Sequence, residues 1–247
     1  MPSRQLTGPS PIENAAASKA AANYGRPLTI VTSLFFMWGF LTCLNDILVP
    51  HLKSIFDLSY ARVMLVQFAF FSAYFLFSLP WSKFVNTIGY KRTMVAGLLT
   101  MACGAFLFFP AAYAASFPLF LTALLVLAAG ITGLQVAANP CVDLLGKPET
   151  ASSRLDLTQA FNSLGTTIAP KLGGLLILTA APLAVEQLRE LTPQALQAYR
   201  VDQAASVRLP YAVIGVALVL LAALIGGSKL PRVEATTSGT GRGARKS

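Results

Sequence analysis

The sequence predicts an all-α integral membrane protein with six spanning helices. Its 247 residues are 55% hydrophobic and only 12% charged, with a mean hydropathy of +0.62, whereas soluble domains carry about 25% charged residues. The charges fall in clusters, and the apolar stretches between them are long enough to cross a hydrocarbon layer about 30 Å thick. The length of the chain therefore indicates how many spanning helices to expect and not how many soluble domains.

The elements follow in order along the chain. Residues 1–26 are polar and lack the apolar core of a signal peptide, which predicts a disordered cytoplasmic tail. A bundle is expected over 27–230, with spanning helices at about 28–49, 63–85, 93–112, 117–145, 155–178 and 211–225, the last extended to 230. Leu188, Leu191, Ala195 and Leu196 predict one short amphipathic helix before the sixth span. Residues 231–247 are Gly, Ser, Thr and Arg rich, and we expect a disordered basic tail.

The net charge of +9 is explained by topology. Six spans put both termini on one side, and basic residues are concentrated on the cytoplasmic side of membrane proteins. One face would carry Arg4, Lys19, Arg26, Lys83, Lys91, Arg92, Lys147, Arg154, Lys229, Arg232, Arg242, Arg245 and Lys246. The other would carry Lys53, Arg62, Arg189, Arg200 and Arg208. The first face is predicted to be cytoplasmic. The basic residues are not interleaved with aromatic residues on one face, so we do not expect nucleic-acid binding.

Asp46 is the first candidate functional residue. It lies with Asn45 near the end of the first span, shortly before Pro50 and His51, where the helix is expected to end. A carboxylate within a spanning helix costs about 2.5–3.5 kcal/mol on insertion scales, so it is kept where it faces a bundle interior or a wet cavity. The alternative is a side chain that merely reaches the headgroups.

Polar residues in four helices fall on single faces, since three-four spacing makes neighbours on a helix. They are Trp38, Thr42, Asn45 and Asp46 on the first, Gln67, Tyr74 and Ser78 on the second, Gln135 and Asn139 on the fourth, and Gln159, Asn162 and Thr166 on the fifth. Amides, hydroxyls and an aromatic ring suit a neutral polyhydroxylated ligand such as a sugar. The alternative is interhelical hydrogen bonding, which uses the same side chains.

The remaining candidates carry less chemistry. Lys171 lies past the middle of the fifth span, where it either pairs with Asp46 or lies near the external interface with no role. The three cysteines have no metal-ligand spacing and are predicted to be small packing residues. His51 is the only histidine, and we expect an interfacial residue there. No catalytic constellation or cofactor motif is present, so we do not expect an enzyme.

Two spacings recur along the chain and indicate an internal repeat. Gly39 precedes Asn45 as Gly133 precedes Asn139, and Phe71 precedes Pro80 as Phe161 precedes Pro170. The first and second spans thus resemble the fourth and fifth, which favours an arrangement of three plus three inverted repeats, as in one half of a major facilitator carrier.

Three motifs carry a family resemblance: LNDILVPHLK from Leu44, GLQVAANPCVDLLG from Gly133 and LTQAFNSLGTTIAP from Leu157. With them, residues 35–178 resemble the fucose/glucose/galactose permease family of the major facilitator superfamily. The resemblance implies a bacterial inner-membrane symporter that moves a monosaccharide with a proton or sodium ion, by alternating access between two six-helix halves. It also implies that Asp46 is the coupling or sugar-binding carboxylate.

The sequence departs from the family pattern in two respects. Gln135 occupies the position at which the fucose branch has a protonatable glutamate, so either coupling rests on Asp46 or the chain belongs with the glucose/galactose branch. Only the first half of a family member is present, and residues 233–247 resemble the end of a truncated coding sequence. A second half from another chain or from self-association is then expected to complete the carrier. The alternative is a remnant that inserts in the bilayer and transports nothing.

Overall fold

The regular secondary structure of the described residues is entirely helical. The computed structural model describes residues 11–177, 183 and 185–228. Their α-helices are α1 (Pro11–Phe56), α2 (Tyr60–Ile88), α3 (Tyr90–Tyr113), α4 (Phe117–Leu144), α5 (Ala151–Ile177), α6 (Val185–Glu190), α7 (Pro193–Ala205) and α8 (Arg208–Gly227). A single 3-10 turn, Pro148–Thr150, joins α4 to α5.

Helix α1 is longer at both ends than the predicted first span. It begins at Pro11, within the segment for which composition predicts a tail, and it continues past Pro50 to Phe56. The expectation that the helix ends near Pro50 was therefore wrong. Pro50 has no N–H to donate to the carbonyl of Asp46 four residues earlier, but the helix on either side is long enough to continue across one missing bond.

Five of the predicted spans meet the length and hydropathy expected of a membrane helix. They lie within Pro27–Phe56, Tyr60–Ile88, Tyr90–Tyr113, Phe117–Leu144 and Pro193–Gly227. The sixth is α5, whose 27 residues extend about 40 Å at 1.5 Å per residue. Its amides, hydroxyls and Lys171 lower its hydropathy, and it packs along α1. The all-α membrane fold is confirmed. Residues 1–10, 178 and 229–247 lie outside the described part; they include the start of the predicted N-terminal tail and the whole predicted basic tail.

The segment before α8 contains two helices, α6 and α7, and not the single amphipathic helix predicted. Thr192 caps α7 by accepting a hydrogen bond from the Ala195 amide at 3.3 Å, and Pro193 takes the first helical position. Proline is favoured there because its missing N–H would have no helical partner. The Thr-Pro pair therefore starts a new helix instead of continuing the one before it.

The helices pack as an inverted repeat would require. α1 lies along α5 and α2 along α4, while α3 contacts both α4 and α8. The first helix of each repeat thus pairs with the second helix of the other. Glycines allow the α3–α4 approach: an added Cβ at Gly104 would lie 2.5 Å from the Leu127 amide nitrogen, and one at Gly130 would lie 2.5 Å from that of Met101. Small residues at such contacts are typical of membrane bundles.

Helix α2 presents a long apolar face away from the rest of the chain. Phe68, Phe71, Phe75 and Leu79 are each more than 60% exposed, and only 17% of the most apolar window of α2 is buried. Exposed apolar area of this extent marks contact with lipid or with another protein.

Two basic side chains close helix ends on one side of the bundle. Arg154 is buried and donates to the main-chain oxygens of Val142, Asp143 and Lys147 at 2.9–3.1 Å, at the end of α4. Lys91 donates to the Ser228 carbonyl at 2.6 Å, at the end of α8. The last carbonyls of a helix lack helical partners, so a cation there satisfies them and complements the helix dipole.

Candidate polar site between α1, α2 and α4

Asn45 and Asp46, which are neighbours on the polar stripe of α1, lie in different environments. Asp46 is exposed, whereas Asn45 retains only 1% of its surface. Trp38 and Thr42, which are half-buried, lie on the same side of the helix as Asp46 at four-residue spacing. The Thr42 hydroxyl donates to the Trp38 carbonyl at 3.0 Å, which leaves its oxygen able to accept from a ligand.

Side chains from two other helices meet this stripe. Gln135 on α4 donates from Nε2 to the hydroxyl of Tyr74 on α2, at 3.5 Å. The same hydroxyl lies close to the side chains of Trp38 and Thr42 and interacts electrostatically with Asp46. These five residues, Trp38, Thr42, Asp46, Tyr74 and Gln135, form what we call the polar cluster. It combines one carboxylate, one amide, two hydroxyls and an indole.

The α2–α4 contact that positions Tyr74 against Gln135 depends on Trp81. Its indole Nε1 donates to the Ala129 carbonyl at 2.8 Å. The ring also covers Gly133, where an added Cβ would lie 2.5 Å from the indole. Gln135 lies two positions after Gly133, so this contact fixes the α4 turn that presents the amide. Trp81 was not among the predicted site residues, although its position next to Pro80 and the recurrence of Gly133 were available signals.

A corresponding contact holds α1 against α5. Asn162 donates from Nδ2 to the Phe35 carbonyl at 3.0 Å, and an added Cβ at Gly39 would overlap the main-chain oxygen of Asn162. Gly39 and Gly133 are equivalent in the internal repeat, and each lies against the second helix of the other repeat. In this structure the Asn162 amide therefore makes an interhelical hydrogen bond, the alternative left open for such residues.

Three other amides hold polar atoms that lack a hydrogen-bond partner. Both side-chain polar atoms of Asn45 are buried and unpartnered, as are Asn139 Oδ1 and Gln67 Oε1. Asn45 and Asn139 occupy equivalent positions in the two repeats. A buried polar atom left unpaired costs about 1–3 kcal/mol, so water or a ligand would stabilise both positions.

The other predicted residues are not among the five that form the cluster. Gln159 and Lys171 on α5 are exposed, and no ion pair joins Lys171 to Asp46 in the structure. Cys43, Cys103 and Cys141 are free thiols. Across the described ranges, no group of His, Cys, Asp and Glu side chains is arranged to hold a metal ion.

His51 is buried at the far end of α1 and not exposed at the interface. Its Nε2 lies 3.3 Å from the Gln203 carbonyl and 3.2 Å from the Ser206 hydroxyl. These contacts attach the end of α7 to α1.

Six helices in two inverted sets, with a polar cluster on the first, second and fourth, have the arrangement of one half of a major facilitator fold. The sequence matches the Major Facilitator Superfamily over residues 30–245. The chain belongs to this superfamily.

The similar proteins are sugar carriers by name. A glucose/galactose transporter of Brucella abortus (strain 9-941) is 53% identical over 86% of this chain and 48% of its own length. The L-fucose-proton symporter of Escherichia coli K12 is 38% identical, over 86% and 49%. The crystal structure of FucP in the outward conformation superimposes with a TM-score of 0.75, at 38% identity over 84% of this chain and 50% of that one. The chain thus spans about half the length of the curated relatives it matches.

Proposed function

We propose that the chain is the N-terminal half of a sugar symporter, which moves a glucose-, galactose- or fucose-like monosaccharide with a cation by alternating access. The polar cluster is the observation that carries this proposal. Three helices bring a carboxylate, an amide, a phenol and an indole to one place on the surface of the bundle. The names of the relatives agree with a sugar as the substrate.

The chemistry of the cluster fits a monosaccharide. Sugar hydroxyls both donate and accept, so Asp46 accepts from them while Gln135 and Tyr74 can do either. The Trp38 ring offers an apolar surface to the C–H face of the sugar ring. Desolvated hydroxyls must recover their hydrogen bonds, which explains why one apolar wall is combined with several polar groups.

The amides around the cluster extend the proposed site. Asn45 and Asn139 have unpartnered atoms that water or substrate would satisfy. Gln159 and Asn162 are proposed to line the same cavity from α5, with Asn162 exchanging its bond to Phe35 for a substrate contact. Such an exchange would couple substrate binding to the α1–α5 contact.

We propose that Asp46 couples transport to the ion, which is a proton or sodium. Asp46 is the only carboxylate among the five cluster residues. Gln135 cannot couple transport to a proton because an amide does not titrate. Pro50 also leaves the Asp46 main-chain carbonyl without its helical donor, so two acceptors lie at the same residue. The Asp46 carboxylate can take up a proton. Carboxylate and carbonyl oxygens together can instead bind a hard cation.

A second six-helix half is proposed to complete the site. Asp46 is exposed and the other four cluster residues are half-buried, so we expect their polar groups to surround only one side of a bound sugar. Each sugar group left unpaired after desolvation costs about 1–3 kcal/mol, and a one-sided site should therefore bind weakly. Alternating access also needs two halves that rock around the site.

We further propose a multi-pass orientation in a bacterial inner membrane with both termini in the cytoplasm, from the distribution of Lys and Arg. Cysteine labelling tests it at two positions. Ser238→Cys should be modified only after the cells are permeabilised, and Ala198→Cys should be modified in intact cells. Modification of Ser238→Cys from outside would refute the orientation.

Counterflow in proteoliposomes tests the transport proposal, with labelled glucose, galactose and fucose as probes. The chain alone should exchange little sugar, and co-reconstitution with the C-terminal half of a glucose/galactose transporter should restore exchange. Asp46→Asn should abolish accumulation driven by an ion gradient.

The matched control is Asp57→Asn, which should leave transport unchanged. Asp57 is an exposed carboxylate just after α1, and its φ of 47° suits asparagine equally well. Saturable exchange by the chain as a monomer would refute the requirement for a second half. Restored accumulation that persists in Asp46→Asn would show that another residue couples the ion, and no exchange with any second half would favour the non-transporting remnant.

A further inference from the structure

An apolar groove separates α8 from α1 and α5. Its volume is about 570 Å³, and it is lined by Ser33, Phe36, Met37, Phe161, Leu164, Ala217, Leu220, Leu221 and Leu224. The one hydroxyl among them, on Ser33, already donates to the Thr29 carbonyl at 3.0 Å. The groove therefore presents hydrocarbon and no free polar group.

The groove lies where the inverted repeat is broken. The repeat makes α1 equivalent to α4 and α8 equivalent to α3, so α8 should pack on α1 as closely as α3 packs on α4. In the described residues α8 packs mainly on α3 and hardly touches α1. The side chains explain the difference: α3 and α4 meet through Gly97, Gly104 and Gly130, whereas the facing residues of α1 and α8 are Phe36, Met37 and leucines.

We propose that this groove holds an acyl chain of an anionic phospholipid. The proposal does not depend on sugar transport. The lining residues lie inside the membrane spans Pro27–Phe56 and Pro193–Gly227 and in α5, so hydrocarbon tails are the molecules that surround the groove. Side chains that cannot close a gap between helices lose packing contacts on one side, and an inserted acyl chain restores those contacts.

A basic side chain at one end of the groove specifies the headgroup. Ser33 and Leu224 lie within about 10 Å of Pro27 and Gly227, the ends of their spans, at 1.5 Å per residue. Lys91 donates to the Ser228 carbonyl at 2.6 Å, one helical turn beyond the groove residue Leu224 on α8. Basic residues between spanning helices on one side of the membrane attract anionic headgroups. The acyl chain in the groove should therefore belong to an anionic phospholipid.

Photo-crosslinking in nanodiscs tests the proposal. The probe is phosphatidylglycerol with a diazirine on one acyl chain, and phosphatidylcholine with the same chain serves as the neutral comparison. Adducts should concentrate on peptides containing Phe36 and Leu220. Because one basic residue near the surface favours an anionic lipid about fivefold, labelling from phosphatidylglycerol should exceed that from phosphatidylcholine at least fivefold.

Ala217→Trp fills the groove and should remove most of the adducts. Ala223→Trp is the matched control, since Ala223 is exposed on the same helix but does not line the groove. Circular dichroism and elution volume are measured to check that both variants remain folded. Adducts spread evenly over exposed residues of α2 and α8 would overturn the proposal, as would crosslinking of the groove to a second protein half or a second copy of this chain. Equal labelling by the two lipids would overturn the charge selectivity.

Discussion

Replacing Gly39 with alanine should destabilise the bundle through the α1–α5 contact. The added Cβ would overlap the Asn162 main-chain oxygen and would lie 2.9 Å from the Asn162 side-chain nitrogen. The helices must separate, which costs about 1–3 kcal/mol by overpacking. Separation also lengthens the Asn162–Phe35 hydrogen bond, and such bonds contribute about 0.6 kcal/mol on average in membrane bundles.

Alanine also gains about 0.5–1 kcal/mol over glycine in a helix, so the net loss for Gly39→Ala should be about 1–3 kcal/mol. Tryptophan fluorescence during unfolding by dodecyl sulfate in mixed micelles measures it. Gly174→Ala is the matched control, because nothing lies within 4 Å of a Cβ added there. The control should be neutral or slightly stabilising. Equal stability of the two variants would refute the close α1–α5 contact.

Three further substitutions test other contacts. Arg154→Gln should leave the last carbonyls of α4 unpaired, at about 1–3 kcal/mol for each buried group, and speed hydrogen exchange there; exposed Arg92→Gln should not. Trp81→Phe keeps an aromatic ring over Gly133 but removes the hydrogen bond to Ala129, so the free energy of unfolding in micelles should fall by about 0.6 kcal/mol. A fall of more than about 3 kcal/mol would show that packing of the ring matters more than the hydrogen bond. His51→Ala should release α7, seen as faster proteolysis within 193–205, and unchanged proteolysis would contradict the His51 contacts.

The spanning helices could be predicted because the bilayer imposes their length and composition. Backbone groups in hydrocarbon must bond within a helix, so every apolar run of sufficient length specifies one. The end of α1 could not be predicted from Pro50, since a proline only removes one hydrogen bond. The division of α6 from α7 could have been, because Thr192 and Pro193 form a recognised start signal.

The polar cluster could be predicted in part. Helical spacing placed Trp38, Thr42 and Asp46 on one face, and the structure brings Tyr74 and Gln135 to it. Spacing grouped Asn45 with them, but adjacent residues on a helix point about 100° apart, and Asn45 lies in the interior. The Asn162 bond to a carbonyl of another helix has no sequence signal, because it depends on the close approach at Gly39.

The exchange of partners between the two repeats has a consequence for biogenesis. α1 is synthesised before α5, which is its main partner, and residues 57–150 must be synthesised between the two. α1 and α2 contact each other only slightly, so a nascent chain of three helices has no close-packed arrangement of its own. Until α5 is inserted, Asp46 and Asn45 stand in the bilayer without their bundle. Retention of α1 at the insertion machinery during that interval would keep the Asp46 carboxylate out of contact with lipid until α5 is inserted.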